Sequence, residues 1–191
     1  KAVVEKFGGK FPNNYSELLA LKGIGDYTAS AIASICFDEP RAVVDGNVYR
    51  VLSRYFGIET PINSSKGIKY FKELATSVMD ADHIRDYNQG IMEFGALQCV
   101  PKSPDCSNCP LSGSCMALQK NLVDQLPVKL GKTKVRKRYF NYLVVLDGAG
   151  KTQLRQRRGK GIWENLFEFP KLDSDRELGL EQVKSNLSEV L

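Results

Sequence analysis

Four of the five cysteines in this 191-residue chain lie within seventeen residues, and no other feature constrains the fold as strongly. They are spaced C-x6-C-x2-C-x5-C and are Cys99, Cys106, Cys109 and Cys115. Such clustering is typical of a metal site, whereas a disulfide framework more often spreads its cysteines along the chain. Four thiolates at these spacings can hold a tetrahedral zinc ion or a cubane iron–sulfur cluster. Because there is only one C-x2-C pair, the spacing favours a cluster wrapped by a single loop, with a helix following from about Leu111.

Three other single residues could carry chemistry. Cys36 lies among small apolar residues, so we expect it in the core rather than as a fifth metal ligand. His83, the only histidine, is expected on the surface at the start of a helix. Trp163 is expected to pack in the core or between domains rather than to stack on a base.

Residues 1–118 show the hydrophobic periodicity of helices. Apolar residues three and four positions apart predict a helix over residues 47–56 and another that Ser64 or Ser65 can cap. Further helices are predicted over 16–21, 26–37 and 85–94, the last ending at or near Gly95. Apart from a short apolar run at 41–44, this half shows no strand pattern. We therefore predict a mainly α-helical domain over residues 1–118.

The pattern changes after the helical half. Residues 119–138 contain Pro127, Gly131 and six basic residues in their last ten positions, which predicts a basic interdomain linker. Strands are predicted over 139–146, 152–156 and 166–169, followed by a helix over 176–191. Residues 139–191 are therefore expected to form the start of an α+β domain.

Positive charge is concentrated in the second half of the chain. Residues 1–118 carry 12 basic and 13 acidic residues, whereas residues 119–191 carry 15 basic and 9 acidic ones. Such a segment is either a phosphate-binding surface or a solvated linker, and charge alone does not decide between them. No apolar run approaches the ~18 residues of a membrane span, so no membrane partner is expected.

A G-x-G turn joins two of the predicted helices. The turn and the start of its second helix contain Lys22, Gly23, Ile24, Gly25 and Thr28. Backbone N–H groups at the start of a helix are a natural seat for a phosphate. No strand precedes the turn and no third glycine follows, which argues against a dinucleotide-binding fold. The pattern is typical of a helix-hairpin-helix that grips the DNA backbone, with an ordinary turn between helices as the alternative.

Asp45 follows an apolar run and directly precedes a predicted helix. Read alone, an aspartate at this position is most often a helix N-cap. The functional alternative is a partly buried carboxylate beside a DNA-bound sugar, because a cationic sugar transition state needs a negative group next to it.

Taken in this order, the hairpin, Asp45 and the four-cysteine loop resemble the helix-hairpin-helix glycosylase superfamily that includes endonuclease III, over residues 1–118. Lyases of this superfamily carry a lysine two residues beyond the second hairpin glycine, where this chain has Tyr27. Tyr27 and the D-G-N sequence from Asp45 to Asn47 resemble the MutY-type adenine DNA glycosylases. Residues 161–170, GIWENLFEFP, are similar to the G-x-W-x-x-L-x-x-F-P segment of that family's Nudix-like C-terminal domain. The glutamate-rich signature of the Nudix hydrolases is not found.

The resemblance implies a monofunctional glycosylase of base excision repair, which hydrolyses the N-glycosidic bond of adenine mispaired with 8-oxoguanine or guanine. It implies that Asp45 stabilises the oxocarbenium ion or traps it covalently, and that Tyr27 and Asn47 orient Asp45 and the attacking water. The implied cofactor is a 4Fe-4S cluster on the four cysteines. The implied partner is double-stranded DNA, bound by a monomer whose second domain recognises the lesion. In a prokaryote the protein is expected to be cytoplasmic and nucleoid-associated.

Parts of the family pattern have no match in this chain. The family's general acid is a glutamate in a Gln-rich segment upstream of the region that residues 1–21 match. The family's loop that touches 8-oxoguanine lies beyond the position of Leu191. We therefore expect a fragment with half of the catalytic pair. The alternatives are an endonuclease III-like lyase, a non-catalytic iron–sulfur DNA-binding module, and a zinc protein without a DNA function.

Overall fold

The computed structural model describes residues 1–131 and 137–186 and divides the chain into two compact units. The first unit is Lys1–Gly131 and the second is Lys132–Leu191. The first is helical, and the second consists of short strands with one short helix. Over the described ranges, no helix is long and apolar enough to cross a membrane.

The first unit contains seven helices among its described residues. They are α1 (Ala2–Phe7), α2 (Tyr15–Leu19), α3 (Asp26–Phe37), α4 (Gly46–Phe56), α5 (Ser65–Val78), α6 (Ile84–Leu97) and α7 (Met116–Gln119), with a 3-10 turn at Ser112–Ser114 before α7. The prediction for α3 is confirmed at both ends, and that for α4 to within one residue. Ser64 caps α5 through its hydroxyl, which accepts the N–H of Gly67 at 2.9 Å.

Helix α6 ends at Leu97, two residues past Gly95, so its predicted end near Gly95 is confirmed. Gly95 is also a packing residue, because a Cβ there would lie 2.7 Å from the Cβ of Asn47. The apolar run 41–44 forms no strand within the described structure. Side chains from other helices satisfy its backbone instead, as described below.

The core of the first unit forms around α4 and α5. Val48 and Leu52 of α4 pack with Phe71 and Ala75 of α5, and all four are buried. A second cluster joins Leu18 of α2 to two alanines of α3 and holds the hairpin between these helices. The small alanines allow the two short helices to approach closely.

The first part of the predicted linker packs against the helical unit. Leu126 is buried, and the N–H of Ile62 donates to the carbonyl of Val128 at 3.0 Å. The side chain of Asn63 exchanges two hydrogen bonds of 2.8 Å with the backbone of Leu130. The chain therefore belongs to the first unit as far as Gly131. Three of the six basic residues in the last ten positions of the predicted linker fall at 132–136, outside the described residues.

The second unit contains two small antiparallel sheets. Strand β1 (Tyr139–Tyr142) pairs with β4 (Lys171–Ser174), and β2 (Arg155–Gln156) pairs with β3 (Phe167–Glu168). The predicted strands are present but shorter, and β4 was not predicted because its sequence lacks an apolar alternation. Helix α8 (Leu180–Ser185) lies within the predicted final helix, whose last five residues are outside the described ones.

Candidate active site and cysteine-rich loop

Asp45 is the N-cap of α4 and is half-buried. Its Oδ1 atom accepts the backbone N–H groups of Asn47 and Val48, both at 2.8 Å. Its Oδ2 atom accepts one hydrogen bond, from the side-chain amide of Asn47 at 2.9 Å. The helix-cap prediction is therefore confirmed. These three hydrogen bonds fix the position of the carboxylate. A carboxylate can accept about four, so part of its acceptor capacity stays available to a ligand.

The segment before Asp45 is held by side chains of α5 and α6. Asn88 of α6 is fully buried, and its Oδ1 atom accepts the N–H of Val43 at 3.1 Å. Its amide group donates to the carbonyl of Arg41 at 2.9 Å. From α5, the ammonium group of Lys72 donates to the carbonyl of Ala42 at 2.9 Å. Neither Asn88 nor Lys72 is signalled by the sequence, because both contacts join residues thirty or more positions apart.

Asn47 connects Asp45 to a buried arginine. Its side-chain oxygen accepts a hydrogen bond from Arg50 Nη2 at 2.8 Å, while its amide nitrogen donates to Asp45. Arg50 is only 8% exposed and also donates to the carbonyls of Gly95 at 2.6 Å and Cys99 at 2.7 Å. A side chain bonded at both ends has a defined orientation, so Arg50 and Asp45 together orient Asn47.

Arg54, one turn further along α4, is 3% exposed and anchors the cysteine-rich loop. Its guanidinium group donates five hydrogen bonds of 2.8–3.4 Å. The acceptors are the sulfur of Cys99 and the carbonyls of Val100, Pro101, Val123 and Leu126. Over residues 1–131 and 137–186 no carboxylate lies within 4.0 Å of Arg54. This buried positive charge therefore lies beside the cysteines without an acidic partner.

The four clustered cysteines line one cavity. Cys99, Cys106, Cys109 and Cys115 share its wall with Arg54 and with apolar side chains, and the cavity volume is about 30 Å³. Burial raises the pKa of the Cys106 thiol, and the charges of the other three cysteines raise it further. Across the described residues, no three His, Cys, Asp or Glu side chains converge on a point where one metal ion could be held.

The donor set in this cavity fits an iron–sulfur cluster. It offers four soft sulfur ligands, an apolar wall and a guanidinium group that hydrogen-bonds one sulfur at 3.4 Å. Hydrogen bonds to the sulfurs and burial are features that iron–sulfur proteins share.

A short turn fixes the entry to the C-x2-C pair. The carboxylate of Asp105 accepts the hydroxyl of Ser107 at 2.6 Å and the side-chain amide of Asn108 at 2.7 Å. These hydrogen bonds hold the pKa of Asp105 at about 2. The turn places Cys106 and Cys109 on the same side of the loop, where both line the cavity.

The hairpin lies between α2 and α3, where the sequence predicts it. Gly23 has a φ of 92°, a left-handed conformation that a side chain would strain. Gly25 is the N-cap of α3 in an extended conformation, and a Cβ added there would meet no atom within 4 Å. No side chain caps α3, so the first N–H groups of this helix are open to a ligand. Lys22, Gly23 and Gly25 are exposed, while Ile24 and Thr28 are half-buried.

The remaining candidate residues lie apart from these contacts. Tyr27, in the first turn of α3, is 46% exposed, and its hydroxyl has no hydrogen-bond partner among the described residues. Cys36 is exposed, so its predicted core position is wrong. It lies at the end of α3, next to the left-handed residue Asp38. His83 is exposed at the start of α6, as predicted. Trp163 is 52% exposed and packs on Phe140 and Arg157 within the second unit.

The buried arginines of α4 are the functional residues that the sequence did not reveal. Arg50 and Arg54 are spaced i, i+4, which places them on one face of the helix. Charged residues at this spacing are normally read as a solvent-exposed face. Both fall on the polar side of α4, away from Val48 and Leu52, so the sequence alone gives no signal that they are buried.

Comparisons with known proteins agree with this geometry. A family model described as "Helix-hairpin-helix motif" matches residues 6–35. The adenine DNA glycosylase of Buchnera aphidicola subsp. Schizaphis graminum is 36% identical over 189 residues, which cover 97% of this chain and 53% of that protein. The chain thus spans about half the length of this relative.

Two solved structures share the fold of the helical unit. A thermostable thymine-DNA glycosylase is 36% identical with a TM-score of 0.58, over 62% of this chain and 54% of that one. A non-covalent endonuclease III–DNA complex is 26% identical with a TM-score of 0.54, over 63% of this chain and 55% of that one. Over nearly its whole length the chain is thus similar to an adenine DNA glycosylase, and it shares a helix-hairpin-helix motif and the endonuclease III-like fold with DNA glycosylases.

Proposed function

We propose that this chain carries the base-excising and cluster-binding region of an adenine DNA glycosylase. The reaction is hydrolysis of the N-glycosidic bond of adenine mispaired with 8-oxoguanine or guanine. The observation that carries this proposal is the half-buried Asp45 carboxylate, which is held by Asn47 and two backbone N–H groups. The adenine is flipped out of the duplex into the site, which costs a few kcal/mol of unstacking and unpairing.

Asp45 supplies the negative charge that the reaction needs. When the bond between C1′ and the base breaks, the sugar becomes an oxocarbenium ion, and a fixed carboxylate beside it stabilises that charge. The carboxylate either stabilises the ion until water adds to C1′ or bonds to C1′ first and is then displaced by water. The departing adenine takes up a proton. Its donor is a general acid, a role that we assign to none of Asp45, Asn47 and Tyr27.

Asn47 and Tyr27 are proposed to orient the reacting groups. The amide of Asn47 keeps the carboxylate of Asp45 in one rotamer, and its own orientation is fixed by Arg50. Tyr27 occupies the position where the lyases of the superfamily carry their lysine. Its phenol cannot form a Schiff base, so we propose that its exposed hydroxyl helps to position water. This absence of an amine nucleophile favours a monofunctional hydrolase over an endonuclease III-like lyase.

The hairpin and the second unit are each proposed to contact DNA. The open N–H groups at the start of α3, with Lys22 beside them, suit a phosphate and read no bases. The second unit, with its concentration of basic residues, is proposed to be the Nudix-like domain that holds the strand bearing 8-oxoguanine.

The four cysteines are proposed to hold a 4Fe-4S cluster. When bound, the cluster supplies folding energy to the loop, because its ligands are far apart in the unfolded chain. Arg54 then places its positive charge beside the thiolates and ties the loop to α4.

The purified protein should be brown and contain about four iron atoms per chain. Cys109→Ser removes one of the ligands and should lose the iron and destabilise the loop. Cys36→Ser is the matched control, because Cys36 is exposed and does not line the cavity. Iron analysis and thermal unfolding measure both effects. A zinc-containing wild type, or a Cys109→Ser variant with full iron and normal DNA binding, would contradict the cluster.

Gly25→Ala should weaken binding to any duplex about tenfold, which is about 1.4 kcal/mol. The added methyl group meets nothing in the free protein but occupies the space in front of the N–H groups. Gly90→Ala adds the same methyl group to an open position on α6 and should leave affinity unchanged. Fluorescence anisotropy with matched and mismatched duplexes measures the effect. Equal affinities for Gly25→Ala and wild type on both duplexes would refute the phosphate seat.

Asp45→Asn should slow adenine excision at least a hundredfold while leaving affinity for the mispair largely intact. Asparagine caps a helix about as well as aspartate, but it cannot offset the charge of the sugar. At about 1.4 kcal/mol per factor of ten, the loss corresponds to about 3 kcal/mol of transition-state stabilisation. The measurement is single-turnover excision by the protein at its natural length.

Asp80→Asn provides the control for Asp45→Asn. Asp80 also accepts two backbone N–H groups before a helix, but it lies on an exposed loop before α6. Its substitution should not change excision. If Asp45→Asn excised adenine within tenfold of wild type, Asp45 would be a helix cap only.

A further inference from the structure

Lys72 makes contacts that its neighbours on α5 do not make. Its side chain is 30% exposed, whereas that of Lys69, one turn earlier, is 80% exposed. The ammonium group donates to Asp26 Oδ2 at 3.0 Å, Ser30 Oγ at 3.0 Å and the Ala42 carbonyl at 2.9 Å. An ammonium group has three N–H bonds, so all of its donors are used.

One of these contacts fixes a peptide group close to Asp45. The Ala42 carbonyl, which accepts from Lys72, and the Val43 N–H, which donates to Asn88, belong to the same peptide bond. A planar peptide held at both its oxygen and its nitrogen is not free to rotate. Asp45 lies two residues after Val43. Because the run 41–44 has no strand partner among the described residues, these side-chain contacts are what hold it.

The other contacts reach the hairpin. Asp26 is the first residue of α3, directly after Gly25, and its second oxygen accepts the hydroxyl of Tyr15 at 2.6 Å. Burial raises the pKa of Asp26, but the hydrogen bonds from Tyr15 and Lys72 and the charge of Lys72 outweigh burial and lower it overall. Arg41, whose guanidinium group stacks on Tyr15, adds to this lowering. Lys72 therefore joins three parts of the chain: α5, the hairpin end of α3 and the segment before Asp45.

We propose that Lys72 is a positioning residue for Asp45, which locks the peptide before it to the hairpin end of α3. The inference rests on the proposed glycosylase function. It predicts that the DNA-gripping hairpin and the carboxylate keep one relative placement when DNA binds. We do not propose Lys72 as an amine nucleophile, because its amino group is engaged in hydrogen bonds with Asp26, Ser30 and the Ala42 carbonyl.

Lys72→Met keeps most of the unbranched side chain and removes its donors. In the protein at its natural length it should slow single-turnover excision about tenfold, since a displacement of about 1 Å in a catalytic group can cost a hundredfold. Affinity for the uncleaved mispair should stay within about twofold, because Lys72 makes no part of the phosphate seat. Lys72→Arg should recover part of the rate. Lys69→Met, which removes an exposed lysine from the same helix, should have no effect.

Amide hydrogen exchange tests the placement without relying on activity. In Lys72→Met, the N–H groups of Val43, Asn47 and Val48 should exchange at least about tenfold faster, since their acceptors are Asn88 and Asp45. Unchanged exchange at these three sites with excision within twofold of wild type would overturn the proposal. So would equal acceleration at every amide, which indicates a global loss of stability, or borohydride trapping of DNA on Lys72.

Asp26→Asn keeps the test available if Lys72→Met does not fold. It leaves the lysine in place and removes its charged partner, and it should slow excision at least about threefold. Excision by Asp26→Asn equal to wild type would then overturn the proposal. If the proposed glycosylase function were wrong, the wild-type protein itself would release no adenine. The hydrogen-exchange rates of Lys72→Met would still show whether Lys72 holds the segment before Asp45.

Discussion

Two buried arginines on one helix determine much of the first unit. Arg50 and Arg54 of α4 are 8% and 3% exposed, and a buried charge is costly unless hydrogen bonds surround it. Most of the acceptors are backbone carbonyls. They belong to the end of α6, to the cysteine-rich loop and to the segment after α7. Each such bond to a charged donor contributes about 1.5–3 kcal/mol. These non-helical segments therefore have defined positions because two guanidinium groups need them as acceptors.

The same helix begins at the candidate active site. Asp45 caps α4, and Asn47 in its first turn is bonded both to Asp45 and to Arg50. Arg50 in turn donates to the carbonyl of Cys99, and Arg54 donates to the sulfur of that residue. A continuous path of hydrogen bonds thus runs from the carboxylate to the loop that lines the cysteine cavity. We therefore expect that disordering the cysteine-rich loop would also loosen the position of the Asp45 carboxylate, although the loop and Asp45 contact different turns of α4.

The sequence predicts best the features that depend on local chemistry. The bounds of α3 and α4 follow from apolar periodicity and from Gly25 and Asp45 at their starts. The gathering of four cysteines follows from their spacing, and the structure brings all four to one cavity.

The features that were missed depend on contacts between distant residues. Gly95 is a packing residue because Asn47, forty-eight positions earlier, lies against it. Strand β4 forms because β1 offers it a partner, and Asn88 is buried because the unpaired run 41–44 needs its amide. The burial of Arg50 and Arg54 was missed for the same reason, because it depends on the cysteine-rich loop that packs over them.

The central claim is that the carboxylate at the start of α4 belongs to a monofunctional adenine glycosylase. The most direct test offers the protein at its natural length three duplexes, with adenine opposite 8-oxoguanine, adenine opposite guanine, and thymine opposite guanine. Free base and strand cleavage are then measured before and after alkali. We expect release of adenine from the first two duplexes and a strand that breaks only after alkali. Release of thymine with adenine untouched, or strand cleavage without alkali, would contradict the claim.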